Sequence, residues 1–422
     1  MSLQHKPVTP LDLSKWRKAP AILLVGGGAI ALVAAAVSHQ HDDFKEFGYA
    51  WLTAFMFFLS VGLGGLLLTM LHHLFDAGWS VSIRRINENL ATLLFPWMAI
   101  LFIPIALLAP RIYHWMAPSL QAHPDHALLA KQPLFTIPGF YIASAVCFLI
   151  WWLLSNRLRY WSVTQDTTGG SKPTFRMRWY SYWGIFAFAI SLTLGAVMWM
   201  KGLQDEWFST MYGVYYFAGS TWMTLTAVYV ITTILHRQGL LPKAVMHHHQ
   251  FYYLGSIIFA FTVFYAYVTF AQYFIIWNGN MPEETFWYQI RERGTWFYVG
   301  LVIIFGHFFV PFLGLLRIDV KSCFPYMLGI ACWAWLMHFV DMIFNVQPVI
   351  HPTGFPIQWI WMAIGCWMFM AGFLSMVFLK KTASVAAYPL KDPRLVEAMG
   401  HLEPHTPISG GDIDETQVEE GY

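Results

Sequence analysis

The stretch GYAWLTAFMFFLSVGLGGLLLTMLHHLFDAGW, residues 48–79, has the length and composition of a membrane-spanning helix. It carries no charged residue from Gly48 to Leu71, and His72, His73 and Asp76 then follow within five positions. About 20 apolar residues suffice to cross a bilayer as a helix. The stretch therefore predicts a transmembrane helix that ends in groups able to titrate or hold charge near neutral pH.

The rest of the chain has the same apolar character. Of its 422 residues, 57% are hydrophobic and only 11% are charged, whereas a soluble domain carries about 25% charged residues. With residues 48–72, nine further apolar segments make ten predicted spans, near residues 20–38, 90–109, 135–154, 182–200, 213–235, 252–277, 295–316, 322–343 and 357–379. We therefore expect an all-α polytopic membrane protein, in which residues 1–19 form an amino-terminal tail, 20–379 a ten-helix domain and 380–422 a carboxyl-terminal tail. The first segment is expected to be a retained span and not a cleaved signal peptide. The polar second tail is expected to be extended, on the surface of a partner.

The distribution of lysine and arginine predicts the orientation of these spans. If the amino terminus is cytoplasmic, 19 of the 25 basic residues lie on the cytoplasmic side and six on the other. Short cytoplasmic loops carry such an excess of Lys and Arg in membrane proteins. Both termini are therefore predicted to be cytoplasmic.

One group of polar residues follows span 2 on the predicted cytoplasmic side and comprises His72, His73, Asp76, Arg84, Arg85 and Glu88. The spacing predicts i,i+4 pairs between His72 and Asp76 and between Arg84 and Glu88. Helical rise places His72 about 36 Å from Gly48, at or beyond the hydrocarbon edge. Two interpretations remain open, a hydrated helix end in the headgroup region or an entrance for protons.

A second polar group lies towards the other side and comprises His307, His338, Asp341, Gln272, Glu283 and Glu284. Ionisable side chains within lipid are costly, so we expect them to face the helix bundle. Helical rise places His307 about 18 Å from Thr295 and His338 about 24 Å from Ser322, at different depths, which argues against a shared haem. A quinone pocket fits a histidine and a carboxylate better. Hydrogen-bonded packing is the alternative for His307 and for the His338–Asp341 pair.

The cysteine pattern indicates no bound redox centre of its own. A C-x-x-C-H haem-attachment motif is absent from the sequence. Four closely spaced cysteines, as iron–sulfur clusters usually need, are also absent. No metal site is predicted.

Five stretches together resemble one family. They are FFLSVGLGGLLLTMLHHLFDAGWSVSIRR, WFSTMYGVYYFAGS, FAQYFIIWNGNMPEETFWYQIRERGTW, GHFFVPF and HFVDMIFNVQP. They are similar to the ActF membrane component of bacterial alternative complex III, a quinol:electron-acceptor oxidoreductase, and the resemblance runs from about Gly48 to Phe378. This family is itself similar to the NrfD/polysulfide-reductase type of membrane subunit.

The resemblance implies a fold and a set of partners. The core would be two four-helix bundles, spans 2–5 and 6–9, with spans 1 and 10 peripheral, in the bacterial cytoplasmic membrane. Haem c and iron–sulfur clusters would lie on partner subunits: a multihaem cytochrome c, an iron–sulfur protein and a homologous NrfD-like subunit. The chain itself would carry no covalently bound cofactor, could line a site for menaquinone or ubiquinone, would contact lipids and would bind no nucleic acid. It would not be catalytic alone.

The resemblance also implies proton half-channels in this respiratory or photosynthetic complex. The entrance would involve His72, His73 and Asp76, and the exit His338, Asp341 and His307. Two other functions stay open, a purely structural membrane anchor of the same complex and a secondary transporter. Transporters often contain matched interrupted helices, and no such pair is evident from the sequence.

Overall fold

In a computed structural model, which describes residues 11–124 and 126–399 and only the backbone of residue 127, the chain is helical, without strands in that part. Ten helical segments are long and apolar enough to cross a membrane, which confirms the predicted number. They are span 1 (Ser14–Asp42), span 2 (Lys45–Leu74), span 3 (Gly78–Ile112), span 4 (Ile137–Thr168), span 5 (Lys172–Leu203), span 6 (Tyr212–Arg237), span 7 (His248–Gly279), span 8 (Trp296–Gly314), span 9 (Phe324–Val349) and span 10 (Ile360–Ala383). Short α-helices lie outside them at Pro118–Ala122, His126–Ala130, Pro282–Arg291 and Leu395–Ala398.

The segments that join the spans define two faces of the molecule. The basic face carries residues 75–77, 169–171, 238–247, 315–323 and 384–399. The opposite face carries residues 43–44, 113–136, 204–211, 280–295 and 350–359. Residues 1–10 and 400–422 of the two predicted tails lie outside the described part of the chain.

Span 2 is the centre of the molecule. It contacts spans 3, 5, 6, 9 and 10, and nearly every residue from Gly48 to Leu67 is buried. A helix that is hydrophobic all round is buried, either among other helices or in lipid. The burial of residues 48–67 shows that this uncharged stretch forms the helix around which the others pack.

Span 1 packs along span 10 through glycines at the crossing. A Cβ atom at Gly27 would lie 2.2 Å from the backbone nitrogen of Phe369, and one at Gly372 would lie 2.2 Å from that of Leu24. Small residues allow helix backbones to approach closely in membranes, where van der Waals packing drives association. Spans 1 and 10 are thus held by backbone contact.

We expect Gly27→Ala to destabilise the protein by about 1–3 kcal/mol, because the added methyl group must push two backbones apart. Gly26 is the matched control, since a Cβ atom there would meet nothing within 4 Å. Thermal unfolding of the two variants in the same detergent is the measurement. Equal melting temperatures for the two would contradict the close crossing of spans 1 and 10.

Two spans are interrupted by π-helical turns, at Leu94–Met98 in span 3 and at Ile303–Phe309 in span 8. The first turn contains Pro96 and the second precedes Pro311, and a proline ring clashes with the carbonyl group four residues earlier. Spans 3 and 8 thus each contain a local interruption that the sequence did not reveal. The turn in span 3 packs against spans 2 and 4, whereas that in span 8 packs against spans 7 and 9. The two interruptions thus have different neighbours, unlike the broken helices that form one transporter site.

Residues 385–399 cross the basic face of this chain. The backbone nitrogen of Leu390 donates to Asp166 Oδ1 (2.9 Å), and Lys391 Nζ donates to the Thr167 carbonyl (2.7 Å). Gln250 Nε2 donates to the Ala398 carbonyl (3.1 Å). We call residues 385–399 the terminal strap. For these residues, this corrects the expectation of a tail that extends onto a partner, since their polar groups find partners on helix ends of the same chain. The same expectation for residues 400–422 lies outside the described part of the chain.

Candidate functional site

The most concentrated buried polar group surrounds Asp341 in span 9. Tyr215 donates a short hydrogen bond to Asp341 Oδ1, and Asn345 Nδ2 lies 3.3 Å from the same oxygen. Asn345 Nδ2 also lies 2.7 Å from Tyr215 Oη, and Tyr265 donates to Tyr215 Oη at 3.3 Å. We call Asp341, Tyr215, Tyr265 and Asn345, with His307 and His338, the Asp341 cluster. Asp341 is 2% exposed, and its second carboxylate oxygen, Oδ2, is buried without a hydrogen-bond partner among the described residues.

The hydrogen bonds of His338 fix which ring nitrogen carries its proton. Ser60 Oγ lies 2.6 Å from the Phe57 carbonyl and 3.1 Å from His338 Nε2. A serine hydroxyl has one proton, which goes to the carbonyl, so Ser60 must accept from His338 Nε2. The other nitrogen, Nδ1, then carries a lone pair; it is buried and has no hydrogen-bond partner among the described residues. His338 therefore presents a proton acceptor inside the cluster.

His307 lies in the π-helical turn of span 8 between two aromatic rings. Its ring centroid is 3.9 Å from that of Tyr265 and 4.2 Å from that of Trp222, and both rings are stacked on it. The two aromatic rings therefore cover both faces of the imidazole. Both ring nitrogens are buried and lack a hydrogen-bond partner in the described part of the chain.

His307, His338 and Asp341 lie together. One nitrogen or carboxylate oxygen from each lies within 4.8 Å of those of the other two, so a water molecule or a metal ion between them could contact all three. The expected difference in depth was wrong. Span 9 extends to Val349, six residues beyond the predicted end, so His338 lies near its middle.

A small cavity joins the cluster to the opposite face. It has a volume of about 50 Å³ and is lined by Asp341, Tyr215, Gln272, Tyr288 and Trp287 among others. Gln272 donates to Tyr288 Oη (2.9 Å) and accepts from Ser209 (3.1 Å) at that end. A few water molecules at most fit this space, at about 30 Å³ for each in the liquid.

The cavity does not fit a quinone. Pockets for organic ligands have volumes of about 300–1,000 Å³, several times the 50 Å³ found beside Asp341. The surrounding tyrosines are also fixed by hydrogen bonds to one another. The side chains beside Asp341 are therefore suited to moving protons and leave no room for a quinone ring.

Glu283 and Glu284 lie outside the cluster. Both belong to the short helix Pro282–Arg291 on the opposite face, where Glu283 is exposed and Glu284 half-buried. Arg291 on the same helix is buried and donates to the carbonyl groups of Phe344 (3.0 Å) and Asn345 (2.9 Å). The helix therefore caps the end of span 9 through Arg291, and neither glutamate lines the cavity beside Asp341.

The second polar group is a buried ion network at the basic face. Arg84 pairs with Glu88 (3.0 Å) and, by a short contact, with Asp392 of the terminal strap. Arg85 pairs with Asp166 (2.7 Å) and Glu88 (3.6 Å). The side chains of Arg84, Arg85, Glu88 and Asp392 are at most 1% exposed. The expected Arg84–Glu88 pair is therefore present, within a larger network that includes Arg159.

His72 and His73 lie beneath this network and are 2% and 0% exposed. His72 Nδ1 lies 2.7 Å from Ser80 Oγ, which donates its proton to the Ala77 carbonyl, so Nδ1 is the donor. His72 Nε2 then accepts from Arg84 Nη1 (3.5 Å). The hydrated helix end is contradicted, because the terminal strap and Arg84 cover both histidines.

Asp76 does not pair with His72. The helix of span 2 ends at Leu74, and Asp76 has a left-handed backbone with φ of 49°. Its carboxylate instead pairs with Arg178 (2.7 Å) and with Arg394 of the strap (2.9 Å). The expected i,i+4 geometry is lost because the chain turns before it is completed.

Several residues of both groups were not predicted from the sequence. Tyr215, Tyr265 and Ser60 lie on three different spans, and nothing local marks them as neighbours of Asp341. Asn345 could have been found, since it lies four residues after Asp341 on the same helix face. Asp392 lies in the strap, more than 300 positions from Arg84.

The two polar groups are separated along span 2. Ser60 contacts His338 of the Asp341 cluster, and His73 lies beneath the basic-face network. The two residues are 13 positions, or about 20 Å, apart along the helix. Leu63, Leu66 and Met70 are fully buried between them. Along span 2, the basic-face network and the more central Asp341 cluster are thus separated by a mainly apolar segment, in which the Thr69 hydroxyl donates to the Gly65 carbonyl.

The comparisons with known proteins identify no family for this chain. No protein-family model matches the chain, and no curated protein matches it in a sequence search.

Proposed function

We propose that the chain is a non-redox membrane subunit of a quinol-oxidising electron-transfer complex, of the alternative complex III type, and that it conducts protons. The family proposal rests on the five stretches of similar sequence. The basic face would be cytoplasmic, in a bacterial cytoplasmic membrane, with the redox cofactors on partner subunits. The core would be the two four-helix bundles of spans 2–5 and 6–9.

The Asp341 cluster is the observation that supports proton conduction. Buried in the membrane interior are a carboxylate, a histidine lone pair and a second histidine, within reach of one another. Such groups are costly in lipid and typically mark ion or proton pathways. The 50 Å³ cavity leads from Asp341 towards the opposite face and would form the exit half-channel.

The basic-face network would form the entrance half-channel. His72 and His73 would receive protons once the terminal strap or its ion pairs move, because the strap now covers them. The apolar segment between the groups would keep the two half-channels apart in this conformation. A coupled proton path requires such a separation, because it prevents protons from leaking across.

A quinone site within this chain is less well supported than proton conduction, because the cavity beside Asp341 is too small. A purely structural anchor would explain the basic-face network equally well. It would not explain a buried histidine lone pair opposite a carboxylate in the membrane interior.

Proton translocation driven by quinol oxidation, with the complex reconstituted in vesicles, tests this function. We expect Tyr215→Phe to slow coupled proton movement about five-fold, since loss of its hydrogen bond to Asp341 is worth about 1 kcal/mol. Tyr216→Phe is the matched control, because its hydroxyl donates to the Met56 carbonyl (2.7 Å) outside the cluster. Equal rates of proton movement in both variants and the wild type would contradict the role of the cluster.

A further inference from the structure

A larger cavity lies at the opposite face, away from the Asp341 cluster. Its volume is about 480 Å³, within the range of about 300–1,000 Å³ typical of ligand pockets. Four spans end at its wall, at Lys45, Ile112, Leu203 and Val349. Because these residues are the last of their spans, the cavity lies at the depth where lipid headgroups meet water.

The polar lining of this cavity contains both signs of charge. Lys45, Arg111 and His114 supply cationic or titratable nitrogen atoms, and Asp205 and Glu206 supply carboxylates. Arg111 already pairs with Asp43 (2.8 Å) at an exposed position. The cavity therefore offers separate positions for an anion and a cation.

Asp205 is the most informative of these residues. It is 8% exposed, yet its carboxylate makes no hydrogen bond or salt bridge within the described part of the chain. The ammonium group of Lys201 attracts it without forming a salt bridge. Its carboxylate oxygens are not sealed inside the protein but reach the cavity, where they are free to accept from a bound ligand.

We propose that the cavity binds the headgroup of a phosphatidylethanolamine lipid. The primary ammonium group would donate to Asp205 and Glu206, and the phosphate would accept from Lys45, Arg111 and His114. Ile112, Leu203 and Val349 would contact the glycerol region. A choline headgroup has no N–H to donate to Asp205, and a glycerol headgroup has no cation, so both would bind less well.

This inference does not depend on proton conduction, and a direct binding measurement tests it. The full-length protein is reconstituted in nanodiscs with equal amounts of ethanolamine, choline and glycerol phospholipids. Tightly retained lipid is then counted by native mass spectrometry. We expect about one ethanolamine lipid per chain, and at least a three-fold loss of it in both Asp205→Asn and Lys45→Gln.

Glu283→Gln and Arg293→Gln are the matched controls, since they remove exposed charges of the same face outside the cavity. Both should retain the lipid. Equal retention of the three lipids, preference for the glycerol lipid, or an unchanged count in Asp205→Asn would overturn the proposal. Lys45 is exposed, so Lys45→Gln keeps the test decisive if Asp205→Asn fails to fold.

Discussion

Replacing Arg84 with alanine is expected to destabilise the protein by about 3–5 kcal/mol, the cost of removing one partner from a buried ion pair. Arg84 is 0% exposed and contacts Glu88, Asp392 and His72. Its loss leaves two carboxylates without their shared cation and releases the terminal strap. Thermal unfolding in detergent, together with protease accessibility of residues 385–399, is the measurement.

Arg317→Ala is the control for this prediction. Arg317 pairs with Asp319 at 2.7 Å, but the two side chains are 76% and 64% exposed. Exposed pairs contribute little to stability, so no measurable change is expected. If Arg84→Ala had the melting temperature of the wild type and its terminal strap stayed protected from protease, the network would not be what holds the strap.

The same network gives the strap a defined acid sensitivity. Burial alone would raise the pKa of the Asp392 carboxyl, but the guanidinium groups of Arg84 and Arg394 hold that pKa well below its ordinary value. The unfolded value is about 3.9. A depressed native pKa contributes stability above the unfolded pKa, and this is lost as the pH falls through the native value. Protease accessibility of residues 385–399 across a pH series should therefore show a docked strap down to about pH 4.

Asp341→Asn is expected to abolish most proton translocation while the complex still assembles. Asparagine keeps the shape of the side chain and an acceptor for the Tyr215 hydroxyl, but it cannot take up or release a proton. Positioned proton-transfer groups contribute about 10²-fold or more to a rate. We therefore expect roughly a 100-fold loss of coupled proton movement, measured in vesicles with quinol as donor.

Asp319→Asn serves as its control, because Asp319 is an exposed carboxylate in the loop before span 9. The result also separates the competing functions. A structural anchor predicts either unchanged coupling or loss of the assembled complex, and neither would be accompanied by a specific loss of proton movement. Normal coupling in an assembled Asp341→Asn complex would remove Asp341 from the proposed path.

The sequence was sufficient to predict the ten spans, since each span depends on the length and composition of one contiguous segment. It also identified Asp341 and His338, because charge within an apolar helix is visible locally. The partners of Asp341 were not accessible in this way, since Tyr215 lies on span 6 and Tyr265 on span 7. Their meeting depends on how the spans pack, which a single sequence does not specify.

The predictions that failed also depended on how distant segments pack together. His338 and His307 were placed at different depths because the predicted end of span 9 was six residues too short. A hydrated helix end stayed open as one interpretation of His72 because helical rise measures distance along an axis and does not show what covers the end. The covering residue, Asp392, comes from a polar segment whose composition alone favoured an extended tail.

The most direct test of the central claim is purification of the chain from its native membrane in mild detergent, followed by haem and iron spectra of the product. Membership of a quinol-oxidising complex predicts co-purification with a multihaem c-type cytochrome and an iron–sulfur protein, although this chain carries no haem-attachment motif. A chain that purifies alone and without colour would contradict the complex and leave secondary transport as the function to examine.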